Sequence, residues 1–296
     1  GFPWVLIGSS LSLWLKEDGL SRSAVGWAGL IFAVYAVNFL WAPLVDRLRL
    51  PYLTERLGHR KSWILLMQGF ILTSLLAWSL LAPAVNITLV IGAGLLIAIC
   101  SATQDITIDA LRIEQIEKED TAAMAAGASV AVIGWWSGFK IGGLIALMVA
   151  DKFEMMGIEN YWQMTFILLG GIIILCNIGL LFIPEVGTAE RQKAQAAAQA
   201  KFEQKLGGDS LLSQATSWMA STVLMPLLSF FQKNGLKIGV AILSFIFLFK
   251  IGEAFMGKMS IIFYKEVGFS KSDIALYSKG LGWITTVVFT LLGGYF

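Results

Sequence analysis

Two aspartates lie four residues apart in an otherwise apolar stretch, SATQDITIDALR at positions 101–112. If this stretch is helical, the spacing places Asp105 and Asp109 on one helical face, with Arg112 three residues after Asp109. Two neighbouring carboxylates in a medium of low dielectric constant disfavour each other's charged form, so one of them can take up and release a proton. The spacing therefore predicts proton coupling at Asp105 and Asp109. The alternative is a structural ion pair between Asp109 and Arg112.

Lysines also interrupt apolar stretches. Lys140 lies within GWWSGFKIGG, and Lys279 lies one turn into the last apolar stretch of the chain. Ionisable side chains in such surroundings are expensive and are therefore functional candidates. Two unpaired lysines on different helices would bind an anionic substrate, whereas the alternative is that each pairs with a carboxylate, such as one of the two aspartates. Lys250 and Glu253 are three residues apart and are predicted to form a charge pair.

Polar and aromatic side chains accompany these charges. Gln104 precedes Asp105, and Asn38 lies in an earlier apolar stretch, so we predict that both line a polar cavity. Trp136 either stacks on a sugar ring of a substrate or lies at the lipid boundary. The two cysteines and the single histidine show no metal-ligand spacing, and we expect no metal ion and no cofactor.

The composition indicates that these residues are held in a membrane. Of the 296 residues, 57% are hydrophobic and only 14% are charged, whereas soluble domains have about 25% charged residues. A disordered chain, an ordinary cytosolic enzyme and a nucleic-acid-binding protein with a basic face are excluded by this balance. The net charge of +2 says little about partners.

Eight apolar stretches approach or exceed the roughly 20 residues that a helix needs to cross a membrane. They occupy residues 2–15, 24–45, 62–82, 87–111, 122–150, 161–183, 237–263 and 274–296. The sequence therefore predicts an all-α polytopic membrane protein. We divide it into a first half (residues 1–185), a linker (186–235) that carries a helix in the membrane interface near residues 211–231, and the start of a second half (236–296).

Lysine and arginine residues are unevenly distributed between the two sides of the predicted bundle. Thirteen lie on one side: Arg47, Arg49, Arg56, Arg60, Lys61, Arg112, Lys118, Arg191, Lys193, Lys201, Lys205, Lys233 and Lys237. Five lie on the other: Lys16, Arg22, Lys152, Lys265 and Lys271. Because short loops rich in lysine and arginine stay in the cytoplasm, we expect the linker and the N-terminus to be cytoplasmic.

A short internal repeat indicates how the spans are organised. LKEDGLSRS at residues 15–23 and YKEVGFSKS at residues 264–272 are identical at five of nine positions, and each joins an odd-numbered span to the next. Parallel repeats of six helices are typical of the major facilitator fold. Span seven then corresponds to span one. We therefore expect a partial major facilitator fold, with about eight of twelve or more spans in this sequence.

Several motifs resemble those of the AmpG-type muropeptide permeases of the major facilitator superfamily. They are YAVNFLWAPLVDR at 35–47, RKSW at 60–63, SATQDITIDA at 101–110, PLLSFF at 226–231, KIGEAF at 250–255 and KGLG at 279–282. The residues Asp46, Arg47, Arg60 and Lys61 also look like a stretched form of the superfamily's cytoplasmic loop motif. The resemblance implies that these four residues belong to a cytoplasmic gate.

The resemblance further implies a function. AmpG-type permeases import anhydro-muropeptides across the bacterial inner membrane for cell-wall recycling, driven by the proton gradient. In that family the two aspartates of span four are linked to proton coupling, which corresponds to Asp105 and Asp109. The cargo carries carboxylates, which makes Lys279 and Lys140 its expected partners. We expect a monomer in the lipid bilayer that binds this small molecule and no nucleic acid.

The sequence departs from the family at two cavity positions. Asn38 stands where lysine is common, and Trp136 stands where arginine is common, with Lys140 one turn further along as a replacement for that arginine. Another acidic or amphipathic cargo is therefore the alternative. A membrane enzyme with two aspartate-rich, magnesium-binding motifs is less favoured because only one such motif is present in the sequence. A sensor built on the transporter fold is also less favoured.

Overall fold

The computed structural model describes residues 1–116, 120–185 and 225–295, and the secondary structure in these ranges is helical. Eight long helical segments occupy the predicted spans. They are α1 (residues 2–17), α2 (Arg22–Leu40), α3 (His59–Leu80), α4 (Pro83–Glu114), α5 (Thr121–Met155), α6 (Tyr161–Leu181), α7 (Leu236–Val267) and α8 (residues 271–295). The prediction of an all-helical protein is confirmed.

Six of the described helices are long and apolar enough to cross a membrane, namely α2 to α6 and α8. A seventh span is counted if Leu228–Asn234 and Leu236–Phe249, which meet at 112°, form one broken span. Large apolar side chains on the outside of the bundle, such as Leu175, Phe182, Phe245 and Leu248, are exposed. A bundle with such a surface is suited to lipid rather than to water.

The helix ends follow local sequence signals. Pro83 occupies the first turn of α4, where its missing N–H costs nothing. Asp120 caps α5 by accepting a hydrogen bond from the backbone N–H of Ala123 at 2.8 Å. Gly268 ends α7 with φ of 105°, a left-handed conformation that glycine adopts without strain.

The second span is less regular than the sequence predicts. Residues 24–45 were expected to form one helix, but α2 ends at Leu40 and a separate short helix, Ala42–Arg47, follows Trp41. Pro43 lies in the first turn of that short helix and cannot donate the backbone hydrogen bond that would continue α2. The indole of Trp41 donates to Thr103 Oγ1 at 3.0 Å, which ties the break to α4.

The core of the first half is aromatic. The rings of Trp14, Trp78 and Phe166, from α1, α3 and α6, lie 5.0–5.9 Å apart and are buried. The indole of Trp78 also donates to the carbonyl of Val90 in α4 at 2.9 Å. Four helices are thereby held together around one cluster.

Short connections join the helices at alternating ends of the bundle. One end carries the two copies of the repeat, residues 15–23 and 264–272, and is called the repeat end. The other carries residues 47–61 and 183–185 and is called the arginine-rich end. Residues 186–224 lie outside the described part of the chain, and most of the predicted interfacial helix lies there. The division into halves and linker remains a prediction.

The two copies of the repeat form the same turn. Gly19 and Gly268 occupy equivalent positions and both have positive φ, 86° and 105°. Ser21 and Ser270, also equivalent, both cap the following helix with the side-chain oxygen. The sequence repeat is therefore a repeat of structure, with a left-handed glycine followed by a serine cap between each odd helix and the next.

Candidate functional site

The two aspartates of α4 lie in different surroundings. Asp105 is partly buried and its charge acts on the phenol of Tyr35 in α2. The side chain of Asp109 is 63% exposed, and its Oδ1 lies 3.4 Å from Nη2 of Arg112. This contact is the ion pair that the alternative interpretation predicted. Because the contact is long and the carboxylate is exposed, this ion pair adds little to the stability of the protein.

Gln104 lies beside a cavity of about 460 Å³ between α1, α3, α4, α5 and α6. The carbonyl oxygens of Gln104 and Gln68 line this cavity and are buried, and neither has a hydrogen-bond partner in the described part of the chain. The structure thus places Gln104 at a cavity, but most of the lining side chains are apolar, whereas the sequence analysis predicted a polar cavity. Asn38 lies elsewhere, in the last turn of α2, and is half-buried.

Lys140 and Lys279 come together where α5 packs against α8. Lys279 is buried, with 4% of its surface exposed, and its Nζ lies 4.0 Å from the centre of the Phe139 ring. Lys140 is half-buried and donates from Nζ to the backbone carbonyl of Ser278 at 3.0 Å. Its Nζ also lies 5.7 Å from the centre of the Trp136 ring. Aromatic faces and a carbonyl therefore surround the two ammonium groups.

Glycines allow both lysines to lie in this interface. A Cβ atom on Gly143 of α5 would lie 3.0 Å from Cδ and Cε of Lys279, and one on Gly282 of α8 would lie 3.1 Å from Nζ of Lys140. Each lysine thus lies against a glycine of the opposite helix. Across the helix pair, the indole of Trp283 donates to Ser137 Oγ at 2.8 Å.

Neither lysine contacts a carboxylate within the described ranges of the chain. The alternative expectation that each pairs with an acidic residue is therefore wrong there. The physical reason is position, since the lysines lie between α5 and α8 whereas Asp105 and Asp109 lie on α4. An ammonium group that is buried without a counter-charge is costly, and a bound anion would remove that cost.

Trp136 lies beside Lys140 and packs against other aromatic side chains of α5. Its ring lies 5.1 Å from Trp135 and 6.0 Å from Phe139, both in edge-on geometry. The structure therefore brings Trp136, Lys140 and Lys279 together. It does not place Gln104 or Asn38 with them.

Three of the four predicted gate residues meet at the arginine-rich end. Arg60 is buried and donates from Nη1 to Asp46 Oδ1 at 2.5 Å and from Nη2 to Glu114 Oε1 at 2.7 Å. Lys61 follows in α3 and donates from Nζ to the carbonyl of Ile183 at 2.9 Å. Arg47, the fourth, ends the short helix after α2.

Glu114 and Glu185 are members of this cluster that the sequence analysis missed. Glu185 accepts hydrogen bonds from the backbone N–H groups of Arg60 and Lys61, at 2.8 and 3.1 Å, and so caps the first turn of α3. Both glutamates lie at span ends beside a strongly basic loop. That charge complementarity was the signal available in the sequence.

The side chains of Lys250 and Glu253, which were predicted to form a charge pair, lie outside the described part of the structure. Only the backbone of α7 is described at these positions. Their mutual neutralisation remains a prediction.

An all-helical bundle with an apolar surface, an internal repeat and ionisable groups between its helices is typical of polytopic secondary transporters. The family model of the Major Facilitator Superfamily matches residues 1–296, and the chain belongs to this superfamily. This superfamily consists of membrane transporters. The fold predicted from the repeat is confirmed.

Proteins of similar sequence include transporters named as AmpG or as anhydromuropeptide permease. A Rickettsia conorii protein named as transporter AmpG 4 is 33% identical over 99% of this chain and 64% of its own length. The anhydromuropeptide permease of Escherichia coli K12 is 30% identical over 99% of this chain and 52% of its own length. The chain thus spans less than two thirds of these relatives. No solved structure matches it. The resemblance to AmpG-type transporters is confirmed.

Proposed function

We propose that this chain belongs to a proton-coupled importer of anhydro-muropeptides in the bacterial inner membrane. The observation that carries the proposal is the pair Lys140 and Lys279, two ammonium groups between α5 and α8 without a contacting carboxylate in the described residues. An anionic cargo would supply the missing counter-charge. Muropeptides carry carboxylates, and the Escherichia coli relative is named for this cargo.

The aromatic residues of the site support a cargo that has an apolar face as well as negative charge. Trp136 and Phe139 present ring faces beside the two ammonium groups. Tryptophan rings stack on the apolar faces of sugars, and they offer contact area at low entropic cost. A sugar that bears an acidic peptide fits both parts of this site.

Asp105 and Asp109 are the proposed proton-coupling residues. Asp105 is partly buried and Asp109 is largely exposed, and we assign proton uptake and release to this pair of carboxylates one turn apart on α4. Protonation would bias the equilibrium between the two conformations of an alternating-access cycle. Cargo must favour one conformation as well, because otherwise no energy passes from proton to cargo.

The proposed orientation follows from the basic residues. The arginine-rich end, the linker and the N-terminus face the cytoplasm, and the repeat end faces the periplasm. The partners in this proposal are the cargo and the bilayer, and the protein acts as a monomer without a cofactor. The proton gradient supplies the energy.

A second candidate is a transporter for a different acidic or amphipathic small molecule. The observation in its favour is the environment of Trp136, which packs on Trp135 and Phe139 where AmpG-type permeases commonly have an arginine. The site then has an aromatic face at the position of the arginine, and its cation lies one turn further along at Lys140. A smaller or less acidic cargo would fit that exchange.

Uptake by the full-length protein, in cells without their own muropeptide permease, tests the proposal. Labelled anhydro-muropeptide is compared with an analogue whose carboxylates are amidated, for wild type, Lys279→Met and the exposed control Lys152→Met. We expect wild type and the control to prefer the acidic cargo and Lys279→Met to lose that preference by about tenfold. Absence of uptake by well-expressed wild type would refute the muropeptide assignment, and equal preference in all three would refute the role of Lys279.

A further inference from the structure

The two copies of the nine-residue repeat contact each other across the repeat end. Glu17 ends α1, and its counterpart Glu266 lies at the end of α7. Glu266 contacts two basic residues of the first copy, Lys16 at 3.6 Å and Arg22 at 2.6 Å. The acidic residue of the second copy is therefore bound by the first copy.

The reverse contacts are also present. Glu17 contacts two basic residues of the second copy, Lys265 at 3.2 Å and Lys271 at 3.2 Å. In the alignment of the repeats Lys16 corresponds to Lys265 and Arg22 to Lys271. Each ion pair therefore has an equivalent pair related by the exchange of the two copies. We call this arrangement the repeat clasp, with the members Lys16, Glu17, Arg22, Lys265, Glu266 and Lys271.

We propose that the repeat clasp is the gate of the transporter at the repeat end, closed in this structure and broken when that end opens. The clasp joins α1 and α2 of the first half to α7 and α8, which begin the second half. Alternating access requires these two groups of helices to separate at one end while they approach at the other. Contacts that join the halves at only one end are therefore the contacts that such a movement must break.

The other end of the bundle provides the contrast. The ion pairs that the structure describes at the arginine-rich end, Asp46–Arg60, Arg60–Glu114 and Asp109–Arg112, each join residues of the first half to one another. The five ion pairs described between the halves lie at the repeat end. The structure is thus held shut at the repeat end.

Two members of the repeat clasp, Glu17 and Lys271, are more buried than the others and make further contacts. Glu17 is 12% exposed and accepts hydrogen bonds from the phenol of Tyr161 at 2.9 Å and the indole of Trp162 at 2.8 Å. Lys271 is fully buried and also contacts Glu154 at 2.5 Å. By comparison Arg22 is largely exposed. Removal of Glu17 should therefore weaken the gate more than removal of Glu266, because buried charges lose more when a partner is removed.

The symmetry of the clasp also explains why the repeat keeps its charges. Lysine, glutamate and a second basic residue recur at the same spacing, and in each copy the glutamate binds the basic residues of the other copy. One copy alone could not make these pairs. This inference concerns how the halves move and does not depend on which cargo is carried.

Accessibility of a buried reporter tests the proposal. Ser12 lies in α1 below the clasp and is fully buried. In the full-length protein without its native cysteines, Ser12→Cys is labelled with a membrane-impermeant maleimide, in spheroplasts and in inverted vesicles. We expect Glu17→Gln to speed labelling from the repeat-end side by about tenfold or more, and Glu266→Gln by less. The exposed control Glu159→Gln should leave the labelling rate unchanged.

A charge exchange separates gating from general loss of structure. Arg22→Glu and Glu266→Arg should each speed labelling, and the two together should return it towards the wild-type rate because one attractive pair is restored. Unchanged labelling in both Glu17→Gln and Glu266→Gln would overturn the proposal. Faster labelling from both sides of the membrane, without rescue by the exchange, would also overturn it, since that result indicates destabilised protein. If Glu17→Gln does not accumulate in the membrane, Glu266→Gln and the exchange pair decide the question.

Discussion

Single residues carry the chemistry, and Lys279 shows how far the sequence leads at this scale. Its place inside an apolar span is enough to make it a functional candidate. The sequence does not show which helix faces it, so the choice between a cargo and a carboxylate partner stays open at that level. In the structure Lys279 lies against Phe139 and Gly143 of α5 and contacts no carboxylate among the described residues.

Lys279→Met should make the full-length protein more stable and less active. Replacing buried charged groups with apolar groups of similar volume often stabilises proteins by about 1–4 kcal/mol. Thermal unfolding in detergent should therefore show a higher midpoint for Lys279→Met than for wild type. The exposed Lys152→Met serves as the control and should not change the midpoint. A lower midpoint for Lys279→Met would show that the ammonium group has a stabilising partner.

Arg60 differs from Lys279 because it forms ion pairs with two carboxylates, Asp46 and Glu114. Arg60→Met leaves these two partly exposed carboxylates without this hydrogen-bond donor and should destabilise the protein by about 1–3 kcal/mol. Arg56→Met, at an exposed position of the short helix Leu53–Leu57 that precedes α3, is the matched control. The check is the unfolding midpoint together with the amount of protein in the membrane. Equal midpoints for the two variants would contradict the role assigned to Arg60.

At the scale of helices and turns, apolar length predicted where spans lie but not how they end. The prediction for span four, 87–111, falls inside the observed Pro83–Glu114. The break at Trp41 was missed because apolar residues continue through it, and only Pro43 marks it in the sequence. The repeat was recognised from the sequence, but its pairing was not, because spacing along one chain does not reveal which turns meet in space.

The turn at the repeat end should respond to acid. Burial alone would raise the pKa of Glu17, but Lys271, the hydrogen bonds from Trp162 and Tyr161, and Lys265 outweigh it and hold the pKa below its ordinary value. The stabilisation that follows is present above the ordinary pKa of a glutamate, about 4.3, and is lost as the pH falls through the lowered value.

The difference in unfolding midpoint between wild type and Glu17→Gln should therefore be constant near neutral pH and shrink below about pH 4. The measurement is thermal unfolding of both purified full-length proteins across this range, with Glu159→Gln as the exposed control. A difference that grows on acidification would show that the pKa of Glu17 is raised rather than lowered.

For the molecule as a whole, the family could be predicted from the sequence while the site could be predicted only in part. Apolar length and the repeat led to the major facilitator fold, which the family match confirms. The residues of the site come from distant parts of the chain, such as Trp136 and Lys279, and which of them meet depends on helix packing that no local pattern encodes. The structure represents one conformation of the protein, in which the proposed gate at the repeat end is closed.

In the proposed mechanism, protonation of the α4 aspartates Asp105 and Asp109 drives the uptake of an acidic cargo. The most direct test measures uptake of labelled anhydro-muropeptide by the full-length protein in cells without their own permease, with and without a protonophore. Wild type, Asp105→Asn and the control Glu159→Gln are compared at equal membrane levels. We predict that uptake by wild type and by the control collapses with the protonophore, and that Asp105→Asn fails to take up cargo in either condition. Uptake that persists with the protonophore, or full uptake by Asp105→Asn, would contradict the claim.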